Sequence, residues 1–296
     1  MRDSFAALHP AVTFGYFVSM IACSMLVMHP VAQAIALAGA FSYSVLAKGA
    51  KALRFNLFYL LPMLLIMAVM NPAFNHQGVT ILFYLKSGNP VTLESILYGV
   101  AAAVMFITVI LWFSCYNAVM TSDKFIYLFG RVIPALSLVL SMVLRFVPRY
   151  IVQIKAISYA QRSIGRDMSQ GSLWRRARNG IHILSIMTTW ALENGMETAD
   201  SMKSRGYGLP GRTSFSIFRF DRRDGILLAI MAVLAFTMGA GMMLGTVSMR
   251  FFPSLKLAPV TGWSGAVYAA YALLCMLPVM INLQEAWKWK RIESKM

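Results

Sequence analysis

The sequence predicts an all-α, polytopic integral membrane protein with about six transmembrane helices and a cytoplasmic pair of long helices. Three observations carry this prediction. Of the 296 residues, 58% are hydrophobic and only 13% are charged, whereas a soluble domain carries about 25% charged residues. Apolar runs of spanning length recur along the chain. Between them lie basic inserts, and the charge is lopsided: 27 Lys and Arg against 11 Asp and Glu, a formal net charge of +16. In a membrane protein such an excess reads as cytoplasmic loops and contact with anionic headgroups of the bilayer, and it does not call for a nucleic acid partner.

Taken in order, the spans are expected at Val12–Met28, Val31–Ala47, Leu57–Met70, Ser95–Val119, Ile226–Val247 and Ser264–Leu283. Only His29 and Pro30 separate the first two, which implies a tight hairpin. Val132–Val147 is a further apolar run. Loop charge decides how it is read. Lys48, Lys51 and Arg54 mark the loop after the second span as cytoplasmic, and the loop Asn71–Glu94, with only Lys86 and Glu94, as external. The segment Arg149–Asp224 carries more than twice as many basic as acidic residues. It stays inside only if Phe125–Val147, punctuated by Arg131, Pro134 and Arg145, does not fully cross. Both termini are then cytoplasmic, the tail Gln284–Met296 bringing Lys288, Lys290, Arg291 and Lys295. The implied organisation is an N-terminal membrane domain over residues 1–120, a cytoplasmic helix region over 121–224, and a C-terminal membrane hairpin with a basic tail over 225–296. Cys23, Cys115 and Cys275 sit singly in apolar runs and read as small buried hydrophobes. No removable signal peptide stands out.

Within the cytoplasmic region two helices are expected. One starts at Pro148, a good first-turn residue, and runs to about Gly165. The other starts after Ser172, a good N-cap, and runs to Arg205, where Gly206, Gly208 and Pro210 stop it. In the second, Ile181, Leu184, Thr188, Leu192, Gly195, Ala199 and Met202 recur at three- and four-residue steps and form one apolar stripe. Gly195 and Ala199, four apart, would let the two helices cross closely.

Both helices end on basic residues next to glycine. Arg205-Gly206, preceded by Ser204, admits two readings: a basic side chain satisfying the last carbonyls of a helix, or an arginine fork projecting into a partner's groove. Gln161-Arg162-Ser163-Ile164-Gly165-Arg166 ends the first helix in a similar way, so the pair suggests a two-point contact. Glu193, Glu197 and Asp200 share a helix face and read as a solvated surface pairing with nearby Arg and Lys. His9, His29, His76 and His182 are scattered, with no two at metal-ligand spacing. The chain has no phosphate-binding loop, no nucleophile elbow and no His-Glu-x-x-His helix, so neither ATP hydrolysis nor metalloprotease chemistry is expected of it. Few ionisable residues lie deep in the spans, which weighs against a proton-driven carrier.

Several stretches together resemble one family. They are His9-Pro10; Asn71-Pro72-Ala73-Phe74 with Gly78; Thr92-Leu93-Glu94-Ser95 with Tyr98-Gly99; Leu144-Arg145-Phe146-Val147-Pro148; Ala160-Gln161; and Ala199 to Gly206. On these the chain resembles the transmembrane T component of energy-coupling factor (ECF) transporters, importers of vitamins and transition-metal ions. Ser204-Arg205-Gly206 is close to the family's second coupling motif. In the first, the family places an arginine at 164, where this chain has Ile164 with Gly165 kept; Arg162 or Arg166 stands in for it. The resemblance implies a non-catalytic subunit without a cofactor, in the bacterial or archaeal plasma membrane. Its coupling helices would dock into two ABC-type ATPase subunits, which bind the ATP and Mg. A membrane-embedded S component would bind the substrate. A self-sufficient channel or carrier, or a membrane-embedded enzyme, are the competing classes.

Overall fold

The computed structural model describes residues 3–84, 89–130, 133–207, 218–259 and 261–294. Lys86, Arg131, Gly208, Pro210 and Lys295 lie outside them. Ten α-helices and two short hairpins are described: α1 Pro10–Leu26, α2 Pro30–Lys48, α3 Ala50–Phe55, α4 Leu61–Phe74, β1 Ile81–Tyr84, β2 Pro90–Thr92, α5 Leu93–Val119, α6 Ser122–Gly130, α7 Pro134–Ser163, α8 Leu173–Ser204, α9 Arg222–Met243, β3 Met249–Arg250, β4 Lys256–Leu257 and α10 Gly262–Glu293. A π-helical turn, Asn56–Leu60, joins α3 to α4. The all-α expectation holds; β1 pairs antiparallel with β2, and β3 with β4.

Local sequence sets most helix starts. Pro10 and Pro30 stand in the first turns of α1 and α2, where a missing N–H costs nothing. His9 Nδ1 accepts from Ala11 N at 3.2 Å. Asp221 with Asp224, and Thr261 with Ser264, form reciprocal capping boxes for α9 and α10.

Six described helices are long and apolar enough to cross a bilayer: Pro30–Lys48, Ala52–Phe74, Leu93–Val119, Ser137–Ser163, Arg222–Met243 and Gly262–Glu293. The number matches the sequence reading but the membership does not. The first expected span corresponds to the shorter helix Pro10–Leu26. The ambiguous run belongs instead to α7, a single helix of 30 residues that passes straight through Pro148. The expected helix start at Pro148 is therefore corrected. Proline removes one i to i−4 bond from a helix interior, and the long apolar and amphipathic stretch on either side holds α7 together across that gap. Pro72 and Pro278 sit inside α4 and α10 in the same way.

The chain divides into two compact units, residues 1–125 with 218–296, and residues 126–217. In the first, α1, α2, α5, α9 and α10 enclose one core. Its largest fully buried side chains include Trp112, Tyr16, Tyr43, Tyr271, Phe5 and Phe17. Aromatic edges meet faces there: Phe5 to Tyr16 at 5.1 Å and Tyr16 to Trp112 at 5.9 Å between centroids. All three cysteines are buried and free, as expected.

A polar knot ties the segment before α1 to this core. Asn282 accepts from Ser4 N at 2.7 Å and donates to Asp3 Oδ1 at 2.8 Å. Tyr43 donates to Asp3 Oδ2 at 2.8 Å. Buried Lys124 donates to the carbonyls of Ala6 and Val119. Burial lowers the pKa of its ammonium, and Asp3 pulls the other way. α4 differs from its neighbours: none of its residues is buried within the chain.

Candidate functional site

The second unit holds the two basic helix ends. α7 and α8 meet through a small cluster, with Ile157, Ile183 and Met187 buried and Tyr150, Ile186 and Trp190 partly so. Trp190 packs edge-on against Tyr150 at 5.5 Å, and the Arg149 guanidinium lies 5.6 Å from the Trp190 ring centroid. This contact replaces the expected crossing at Gly195 and Ala199. A Cβ built on Gly195 meets nothing within 4 Å, and both residues are exposed. The reason is rotational. The predicted stripe, with Ile181, Leu184 and Leu192 all more than 60% exposed, lies one step around the helix from Ile183, Ile186, Met187 and Trp190. α8 has apolar residues on both stripes, and the aromatic cluster with Tyr150 takes the contact.

The chain turns back between α7 and α8 through residues 164–172. Ser172 caps α8 by accepting from Arg175 N at 3.4 Å. The Tyr150–Trp190 contact lies about 21 Å along α7 from Ile164 and about 22 Å along α8 from Arg205, at 1.5 Å per residue. Because the helices run in opposite directions past this contact, their C-terminal tips lie on opposite sides of it.

Both tips terminate by the same motif. At the end of α7, Gly165 N donates to Arg162 O at 3.0 Å and Arg166 N to Gln161 O at 2.9 Å. At the end of α8, Gly206 N donates to Lys203 O at 3.0 Å and Tyr207 N to Met202 O at 3.0 Å. Gly165 has φ of 78° and Gly206 of 77°. Each is a Schellman termination, which needs a residue at positive φ just past the cap and so favours glycine. The register is residue by residue: Gln161 matches Met202, Ser163 matches Ser204, and the C-caps are Ile164 and Arg205.

The side chains on the tips differ. Arg205 is exposed, and among the described residues its guanidinium makes no hydrogen bond or ion pair. Arg162 pairs through Nε with Asp167 Oδ2 at 3.3 Å. Arg166 lies 2.9 Å from His182 Nε2. Asp167 also accepts from Ser169 N at 2.9 Å and Ser169 Oγ at 2.7 Å. Those bonds, and then Arg162, hold its carboxyl below the ordinary value. A polar cleft of about 360 Å³ opens here, lined by Arg162, Gly165, Asp167, Gln170, Gly171 and Arg175. Gln161 Oε1 is buried and has no donor among the described residues. The roles of Asp167 and His182 were not read from the sequence. An acid five residues after an arginine, across a helix end, was the available signal.

The two tips share one backbone termination and carry exposed arginines. The cobalt transport protein family, CbiQ, matches residues 8–216, well over half of the chain. The chain belongs to that family. It is also 36% identical over 101 residues to the energy-coupling factor transporter transmembrane protein EcfT of Bacillus selenitireducens, covering 34% of this chain and 38% of that protein. The EcfT of Lactobacillus helveticus is 37% identical over 100 residues, 33% of this chain and 36% of that protein. The EcfT of Brevibacillus brevis is 35% identical over 105 residues, 35% and 40% of the two chains. The aligned stretch thus spans well under half the length of these relatives.

Proposed function

We propose that this chain is the transmembrane coupling subunit of an energy-coupling factor importer. It links two ABC-type ATPases to a membrane-embedded substrate-binding S component, for uptake of a vitamin or a transition-metal ion. The observation that carries the reading is the pair of matched tips, Gln161–Arg166 and Ser204–Gly206, set on opposite sides of the α7–α8 contact. Membership of the cobalt transport protein family and similarity to EcfT proteins support it. ATP and Mg belong to the ATPases, and this chain does no chemistry. Closure of the ATPase pair would move the two tips, and the stiff helices would carry that motion to the membrane.

Among the described residues, α7 and α8 bury three hydrophobic side chains against each other as a cluster, so much of their apolar surface is left for partners and lipid. Loop charge favours both termini and the α7–α8 connection on the cytoplasmic side of the plasma membrane, which requires that α7, although long and apolar enough to cross, does not fully cross. The test is purification of the tagged chain co-expressed with its ATPases and S component. Two ATPase subunits per chain are expected in the complex. A chain that purifies without ATPase and still mediates uptake would be a carrier, and the proposal would fall.

A further inference from the structure

Two helix ends with one backbone design carry opposite chemistry at one position. Ile164 and Arg205 are both C-caps, with φ and ψ of −99° and 17° and of −86° and 11°. The same two hydrogen bonds and the same glycine follow each. Whatever geometry presents Arg205 to a partner presents Ile164 equally. Ile164 is 63% exposed, a large β-branched side chain that gains nothing from water.

The basic groups around Ile164 already have partners within the chain. Arg162 is held by Asp167, and Arg166 by His182. Both stay exposed and flank the isoleucine, and Arg175 and Arg176 follow in the first turn of α8. An apolar centre within a charged rim is the layout of a docking interface. The α8 tip has the reverse layout, with an arginine in the central place that makes no ion pair among the described residues.

We propose, on the coupling-subunit reading, that the two tips enter chemically unlike sockets: Ile164 seats on an apolar floor ringed by carboxylates that meet Arg162 and Arg166, while Arg205 enters an acidic groove. Ile164 is then a positive determinant of docking and not a degenerate arginine position. An arginine at 164 would be the third guanidinium in five residues and would bring a charge to an apolar floor.

The test compares Ile164→Leu, Ile164→Arg, Arg205→Lys and Arg205→Ile in the tagged chain, co-expressed with its two ATPase subunits and S component. Retained ATPase is read by immunoblot, and uptake is measured in cells. Ile164→Leu is expected to behave as the unmodified chain. Ile164→Arg is expected to lose about tenfold or more of the retained ATPase, as a truncated anchor residue does. Salt separates the tips. With Arg205→Ile the remaining attachment runs through the apolar socket and should persist from about 0.1 to about 0.5 M salt; with Ile164→Arg it runs through the charged groove and should fall over that range.

Ile164→Arg with full ATPase retention and uptake would overturn the proposal. So would the same salt response in Ile164→Arg and Arg205→Ile, or loss of docking in Ile164→Leu. An unmodified chain that retains no ATPase would instead overturn the coupling-subunit reading on which the proposal rests. Membrane insertion of every variant, and normal behaviour of Ile164→Leu, show that any loss arises at the interface and not from misfolding.

Discussion

Reversing the charge of Arg205 separates its two readings, a helix cap and a docking arginine, by size of effect. Within the chain Arg205 contributes little. Its side chain is exposed and, among the described residues, makes no ion pair, and the α8 terminus is closed by backbone bonds to Gly206 and Tyr207. What Arg205→Glu removes from the fold is a favourable charge at a helix C-terminus, about 0.3–1 kcal/mol, and the new carboxylate adds a penalty of similar size. A loss of about 1–2 kcal/mol leaves a membrane protein with a large core folded. At a docked interface the same change sets like charges against an acidic groove, at a cost of several kcal/mol. Each 1.4 kcal/mol is about a tenfold change in the binding constant, so a hundredfold or greater loss of ATPase retention is expected. The assay is co-purification with the tagged chain, beside membrane level and uptake. Arg205→Gln should fall between the two. Normal assembly and uptake by Arg205→Glu would refute the docking role. Loss of the protein from the membrane would refute the claim that the tip is folded without Arg205.

Three further outcomes are expected. Trp190→Ala removes the Tyr150 contact and the Arg149 cation–π pair; it should destabilise the α7–α8 unit by about 2–3 kcal/mol, below the range for a fully buried Trp, read as faster proteolysis within that unit, and unchanged proteolysis would contradict the packing described. Gly195→Ala should be neutral or stabilise α8 by up to about 1 kcal/mol, since a methyl there meets only open space, and a drop in thermal stability of the chain purified without partners would count against this. Asp167 has a lowered pKa, so its contribution is present above its unfolded value of about 3.9 and is lost only as pH falls through the lower folded value. Hydrogen exchange of the 164–172 connection, corrected for intrinsic rate, should therefore show equal protection at about pH 7 and about pH 8 and less protection in Asp167→Asn at both; equal protection of Asp167→Asn and the unmodified chain would contradict it.

What could be read in the sequence follows from how local each signal is. Ser172 and Gly206 mark α8 to within a residue because a cap and a positive-φ glycine act over one turn. Both tips were legible for that reason, while the place of Ile164 opposite an expected arginine came from the family resemblance and not from a local signal. Pro148 misled because a first-turn proline and a mid-helix proline look alike locally; only the continuous hydrogen bonding of α7 on either side distinguishes them. The stripe on α8 misled because periodicity identifies a face without naming its neighbour. Tyr150, forty residues earlier, made the stripe with Trp190 the better one. The knot of Asp3, Tyr43, Lys124 and Asn282 joins residues up to 279 apart in sequence, and no local pattern reports such a contact.

Reconstitution into vesicles tests the central claim most directly. With its two ATPases and S component, the chain should drive substrate uptake that stops when ATP is withheld or when Arg205→Glu is introduced, while vesicles holding the chain alone should take up nothing. Uptake by the chain alone, or uptake by the full assembly that ignores ATP, would contradict the account.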